Sequence, residues 1–341
     1  MRIAMAAMLL LLSGCADVGY YLQSINGQLQ LNAARRPVEQ LMADADTPGL
    51  LKARLKRAAK IRRFASEELH LPDNGSYRAY ADLKRPFVVW NVFAASEFSV
   101  EPRRWCFPVA GCVAYRGYFA KDAADAYAST LRADGFDVHV AGIPAYSTLG
   151  WFDDPLLNTF IQYPEYELAR LIFHELAHQV AYVKGDSEFN ESFAMAVEIA
   201  GVDRWIALHG DAVMRADAER ARMRRAQFAA LVLGAREELG KLYLSRLAPE
   251  AMRERKAAMF EQLRRDYAQL KQSWGGFAGY DGFFTDINNA QLASFSVYHT
   301  LLPAMQRLLA QQGGDIDAFL IEIRRLAALP KSQRDAALAG P

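Results

Sequence analysis

The sequence predicts an α+β fold, mainly helical, in which a small sheet with one packed helix is joined to a larger helical half. Three observations point there. β-Branched and aromatic runs, with turn signals between them, cluster in residues 76–142, as strands require. From Tyr166 onward, apolar residues recur at helical spacing with few breaks. The 341 residues, 52% hydrophobic and 23% charged, suffice for one large core or two small ones. A formal net charge of +1 favours neither nucleic acid nor an anionic surface as partner, and no stretch is apolar for the ~18 residues of a membrane span.

Residues 1–14 read as a signal peptide: Arg2 is a minimal basic region and Ile3 to Leu12 an apolar one. Leu12-Ser13-Gly14-Cys15 resembles a lipobox, so cleavage before Cys15 with lipid on its sulfur would tether the chain to a membrane. The alternative is a bare signal peptide with an incidental cysteine. Ala16, not Asp, follows Cys15; by resemblance to bacterial lipoproteins this implies the cell envelope, at the outer membrane facing the periplasm.

Residues 15–75 form the lipidated N-terminus and a helical segment, with apolar spacing over Tyr20 to Leu31, Val38 to Met42 and Leu50 to Leu69. The basic run Lys52, Arg54, Lys56, Arg57, Lys60, Arg62, Arg63 reads as a solvated helix face. Pro72-Asp73-Asn74-Gly75 is a turn signal. The next region, 76–163, carries strands at Phe87 to Phe93, Cys112 to Phe119 and Phe136 to Val140, and a helix at Lys121 to Ala133 closed by Gly135. With Cys15 removed, Cys106 and Cys112 are an even pair at short spacing, which reads as a disulfide in an oxidising compartment. Residues 143–163 lack periodicity and are either a functional loop or a connector.

The last region, 164–341, is helical. Asp203 to Leu247 and Pro249 to Trp274 read as a helical hairpin, Gly275-Gly276 breaks the pattern, and Ala290 to Leu309 is a helix kinked at Pro303. Ile316 to Leu326 is the final helix.

Within this half, Phe173-His174-Glu175-Leu176-Ala177-His178-Gln179 puts two histidines four apart, hence on one helix face. Zinc accepts that geometry, and Glu175, beside the first histidine, is placed as general base toward a water on the metal. A third ligand is needed. Gly185 is a good helix C-cap and Asp186 or Ser187 a good N-cap, which predicts helix, tight turn, helix. Counted from Gly185, His178 lies seven residues back and Glu191 six on, whereas Glu198, thirteen on, is level with His174. The count does not decide strictly between the glutamates. Glu191 is taken as ligand, and Glu198, with Asn190, as support that orients a ligand.

Phe189-Asn190-Glu191-Ser192-Phe193-Ala194 behind His-Glu-Leu-Ala-His resembles the zinc site of gluzincin peptidases. More closely, the chain resembles a family of predicted bacterial zinc aminopeptidases that begin as lipoproteins. Gly19-Tyr20-Tyr21, the Trp105 to Cys112 segment, the Gly150 to Pro155 segment, Asn288-Asn289 and Tyr298-His299 also carry that resemblance. It implies a gluzincin-like helical half, one zinc ion, a peptide substrate and aminopeptidase activity. The motif itself suits an endopeptidase equally, and a non-catalytic zinc-binding envelope lipoprotein is the alternative of another class. The gluzincin likeness also implies a sheet edge that aligns substrate by strand addition, with Asp137 to Ala141 the candidate. Met195 departs from thermolysin-like enzymes, which carry an acidic residue there. An aminopeptidase needs acidic groups for the substrate ammonium, and Asp153, Asp154, Glu97 and Glu101 are candidates. A donor for the developing oxyanion is expected in Tyr298, with His299 second and Tyr146 or Arg116 as further candidates.

Overall fold

Residues 19–33 form the first helix, α1, in a computed structural model that describes residues 19–107, 111–145 and 147–340. The signal-like segment, Cys15 and Tyr146 lie outside the described residues. After α1 come a short strand β1 (Arg35–Pro37), α2 (Val38–Ala43) and α3 (Gly49–Glu67). The apolar repeat of α3 buries Leu55, Ile61 and Phe64. Arg62 departs from the solvated face expected of the basic run. It is buried, and its guanidinium donates to the carbonyls of Pro72, Ser76 and Asn74 at 2.7, 2.8 and 3.3 Å. The turn that the sequence marked at 72–75 is therefore held from inside the fold.

The expected single sheet is three small ones. β3 (Val89–Ser96) is the centre of an antiparallel sheet ordered β6-β3-β7, with β6 at Arg116–Tyr118 and β7 at Phe136–Ile143. The helix α4 (Lys121–Ala133) spans the residues expected of it and covers this sheet through Ala124, Ala128 and Leu131. The strand expected over Cys112 to Phe119 is interrupted. Its first part, β5 (Gly111–Val113), leaves the main sheet to pair with β4 (Trp105–Phe107), and Cys106 and Cys112 face each other there in a disulfide. The third sheet joins β1, β2 (Ala79–Ala81) and β8 (Leu156–Leu157), so the unpatterned 143–163 stretch does contribute a strand.

The helical half runs α5 (Glu165–Ala177), α6 (Ser187–His209), α7 (Ala212–Tyr243), α8 (Pro249–Ser273), α9 (Asp281–Phe284), α10 (Asn289–His299), α11 (Leu302–Gln311), α12 (Ile316–Ala327) and α13 (Lys331–Ala339). Two boundaries correct the sequence reading. The kink expected at Pro303 is a full break at Thr300–Leu301, with Pro303 in the first turn of a new helix, where its missing N–H costs nothing. Asp203 belongs to α6, because Asp211 caps α7 by accepting from Met214 N at 2.7 Å. The α7–α8 hairpin is present as expected, and α13 was not anticipated.

The largest hydrophobic cluster joins α3, α5, α6, α11, α12 and α13. Gly201 of α6 lies so close to Phe173 that a Cβ there would meet the ring at 2.8 Å, which brings α6 tight against α5. That approach sets the distance between the two helices carrying the candidate ligands.

Candidate metal centre

α5 is fixed in rotation by its apolar face. Leu168, Ile172, Phe173 and Leu176 are fully buried, and Phe64 of α3 sits 5.8 Å from Phe173 and 5.0 Å from Trp205 of α6. The opposite side, bearing His174, Glu175 and His178, lines a cavity of about 1680 Å³. α5 does not run on to Gly185 as the sequence suggested. His178 is its C-cap, still at φ −59° and ψ −20°, so the four-residue histidine spacing keeps helical geometry up to its last member. Residues 178–186 then form a linker. Gln179 anchors its start, accepting from Asn74 at 2.7 Å and donating to Ser76 Oγ at 3.1 Å, on the turn that Arg62 holds.

The linker ends at Asp186, which caps α6 by accepting from Phe189 N at 3.2 Å and pairs with the buried Arg334 of α13 at 2.6 Å. Such a cap is worth about 1 kcal/mol. Asn190 serves this linker. Its amide accepts from Val183 N at 2.8 Å and donates to Val183 O at 2.9 Å, and it makes no hydrogen bond to a candidate ligand side chain among the described residues. An amide on the first turn of α6 is within reach of the linker backbone, which would otherwise be buried unpaired. The disulfide hairpin closes over the same linker: Gly111, at φ +77°, has no room for a Cβ, which would lie 2.7 Å from Gly185 N.

With both helices so placed, His174, His178 and Glu191 offer ligand atoms that all lie within 4.8 Å of one another. His174 Nε2 is 3.1 Å from His178 Nε2 and 3.3 Å from Glu191 Oε2, which is 3.6 Å from His178 Nε2. Zinc bonds of 2.0–2.1 Å set at tetrahedral angles would space their donors by about 3.3–3.4 Å. Two imidazoles and a carboxylate are also a donor set that zinc takes, so the residues present fit the ion. Glu198 reaches the other nitrogen of His174, with Oε2 2.9 Å from Nδ1, which holds Nε2 toward the cluster. His178 Nδ1 is buried without a partner among the described residues.

The charges around the cluster support a cation there. Burial pushes the Glu191 carboxyl up, but His178 and His174 outweigh it and bring it to about 2. Burial likewise opposes ionisation of Glu198, and Arg170 and His174 bring it to about 2. His174 is depressed by burial and lifted further by Glu191 and Glu198, to about 10. Glu175 behaves differently: burial raises it above the usual carboxylate range despite the two histidines, as suits a proton acceptor. Beyond Glu198 the charges alternate. Arg170 donates to Glu198 at 2.9 Å and to Glu167 at 2.8 Å, and Arg225 of α7 donates to Glu167 at 2.6 Å.

α10 brings Tyr298 into the same cavity, where the Glu191 carboxylate and then burial raise its hydroxyl well above the usual tyrosine value. Ser192 Oγ donates to Tyr298 O at 3.3 Å and ties α10 to α6. His299 also lines the cavity, but its ring stacks on Phe295 at 3.9 Å, with Nδ1 3.0 Å from Phe295 O. Tyr115, which sequence reasoning missed, also lines the cavity, and burial and Glu191 raise its hydroxyl. It stands between β5 and β6, far from the motif in sequence, and carries no local signal.

Other candidates lie elsewhere. Glu97 pairs with Arg253 of α8 at 2.7 Å, and Glu101 with Arg236 of α7 at 2.6 Å. Asp154 is buried and accepts from Thr148 N at 3.0 Å. Arg116 lies over the Tyr20 ring at 4.1 Å. On the β7 edge considered for strand addition, α10 occupies the Val138 carbonyl, to which Asn288 Nδ2 donates at 3.2 Å, and Asn289 N donates to the Asp137 carboxylate at 3.1 Å. Among the described residues, the cavity carboxylates Glu167, Glu198, Asp203 and Asp217 all have arginine partners.

A family model described as Putative aminopeptidase matches residues 19–338. No curated protein and no solved structure matches the chain.

Proposed function

The chain belongs to this family, and from that membership we propose that it is a zinc-dependent peptidase acting on peptide N-termini. The convergence of His174, His178 and Glu191 on one point of the cavity wall, with Glu175 beside them, carries the reading. Zinc held by these three residues would supply Lewis-acid activation of a water and of the scissile carbonyl. Glu175 takes the proton of the attacking water and passes it to the leaving amine, for which its raised carboxyl pKa is suited. Tyr298 donates to the oxyanion as it forms. Glu198 holds His174 in the tautomer that presents Nε2.

A lipid on Cys15 would keep the chain in the envelope, at the outer membrane facing the periplasm. The Cys106–Cys112 disulfide supports an oxidising compartment. No helix among the described residues is long and apolar enough to cross a membrane.

The arginine-paired cavity carboxylates favour a second reading on one point, since an endopeptidase needs no free acid for a substrate ammonium. Aminoacyl substrates and N-blocked, internally quenched peptides separate the two. The expected result is hydrolysis of the former, lost with a chelator and restored by zinc. Glu175→Gln should keep its zinc and lose activity; an active Glu175→Gln enzyme overturns the general-base role.

A further inference from the structure

Helix α1 contains no Asp, Glu, Lys or Arg in its fifteen residues, 19–33, although nearly a quarter of the chain is charged. Its inner face is anchored by the buried Leu31 and by Gln23, which accepts from Phe119 N at 3.0 Å. Its outer face is apolar. Tyr21, Leu22, Ile25 and Leu29 are 41%, 61%, 57% and 60% exposed, and at 100° per residue they fall within about 100° of arc. Gln and Asn fill the flanks, so no charged side chain has to enter the acyl boundary beside the apolar stripe.

We propose that this face of α1 lies on the bilayer surface, which it reaches through the anchor at Cys15. The inference rests on the lipid-anchor reading given above. Leu22 follows Cys15 by seven positions, a reach of about 25 Å at most for an extended chain. An apolar stripe tethered that closely meets lipid at high effective concentration, so small area suffices. A second copy of the chain is a poorer occupant. Four side chains expose a few hundred Å², short of the roughly 800 Å² that each partner of a stable dimer buries. Tyr21, at the start of the exposed stripe, suits the interface, where aromatic rings with a polar tip collect. Tyr20, Tyr21 and Ser24 also line the cavity that holds the candidate metal centre. The cavity wall that α1 forms then lies within about a helix diameter, 10–12 Å, of the headgroups, and the substrates within its reach are peptide ends lying at the membrane surface.

The test uses the mature chain on vesicles of phosphatidylethanolamine and phosphatidylglycerol containing brominated lipid. Ile25→Trp and Val213→Trp each add one fluorophore at an exposed apolar position, one on α1 and one on α7. The added signal of Ile25→Trp should be quenched at least about twofold more than that of Val213→Trp, at low and at high salt alike. Equal quenching overturns the proposal. So does a reversible dimer in sedimentation equilibrium that Leu22→Asp/Leu29→Asp abolishes, since the face then belongs to a second copy. Incorporation of labelled palmitate, lost in Cys15→Ser, tests the anchor separately. Without the anchor, quenching of Ile25→Trp on added vesicles still upholds the docking face, and its absence rejects it.

Discussion

Glu191 and Glu198 approach the same imidazole from opposite sides, one at each ring nitrogen, so their loss should have unequal effects. Glu191→Ala should abolish zinc binding. Glu198→Ala should weaken it about 10- to 100-fold, as expected of a group that only orients a ligand, and metal titration against a competing chelator measures both. The reverse order would exchange their roles. Tyr298→Phe should lower kcat about 100-fold or more with KM and zinc content nearly unchanged. If it does not, Tyr115 is the next hydroxyl in the cavity. Asp154 carries a pH dependence of its own. Burial raises its carboxyl to about 6 in the folded chain, against ~3.9 when unfolded. Below pH ~4 both states are protonated and the residue has no effect. As pH rises from ~4 to ~6, the unfolded chain releases the proton first, and stability falls by about 3 kcal/mol at most. Asp154→Asn should therefore match the parent in thermal melts near pH 4 and exceed it above pH 7.

α13 reaches across the fold to the start of α6 through Arg334 and Asp186, whose side chains are only 3% and 5% exposed. Arg334→Met leaves that buried carboxylate with its cap bond and with Lys331, 3.4 Å away, as its charged partner among the described residues, and should cost about 3 kcal/mol in urea unfolding. Adding Asp186→Asn should recover part of the loss, since the cap survives and the buried charge does not. Nothing in the local pattern of residues 331–339 announces this role, because the partner lies 148 residues earlier. The elements that could be read from sequence are those with a local signal: the amphipathic helices, the boundaries of α4, and the histidine spacing on α5. The arrest of α5 at His178 was hidden, since Val180 continues the apolar spacing while the Gln179 side chain is already held by Asn74 and Ser76. Asn190 was misjudged for a similar reason. Its neighbour in sequence is a candidate ligand, but its hydrogen bonds go to the linker.

At the scale of the molecule, the candidate ligands join two helices that are themselves held by α3, the disulfide hairpin and α13. A metal that binds only the folded chain stabilises all of these together, by about 2.7 kcal/mol at a hundredfold excess over its Kd. Chelation should accordingly lower the melting temperature by roughly 5 °C, and Glu191→Ala should melt at the same temperature with or without chelator. The row His174, Glu198, Arg170, Glu167, Arg225 crosses α5, α6 and α7 with alternating sign. Viewed as inheritance, such a row can hardly be rewritten one codon at a time. Reversing any inner member sets two like charges face to face on both sides, and the neighbours would have to change in the same generation. Arg225, on a helix that carries no candidate ligand, is thereby bound to the history of the candidate metal site.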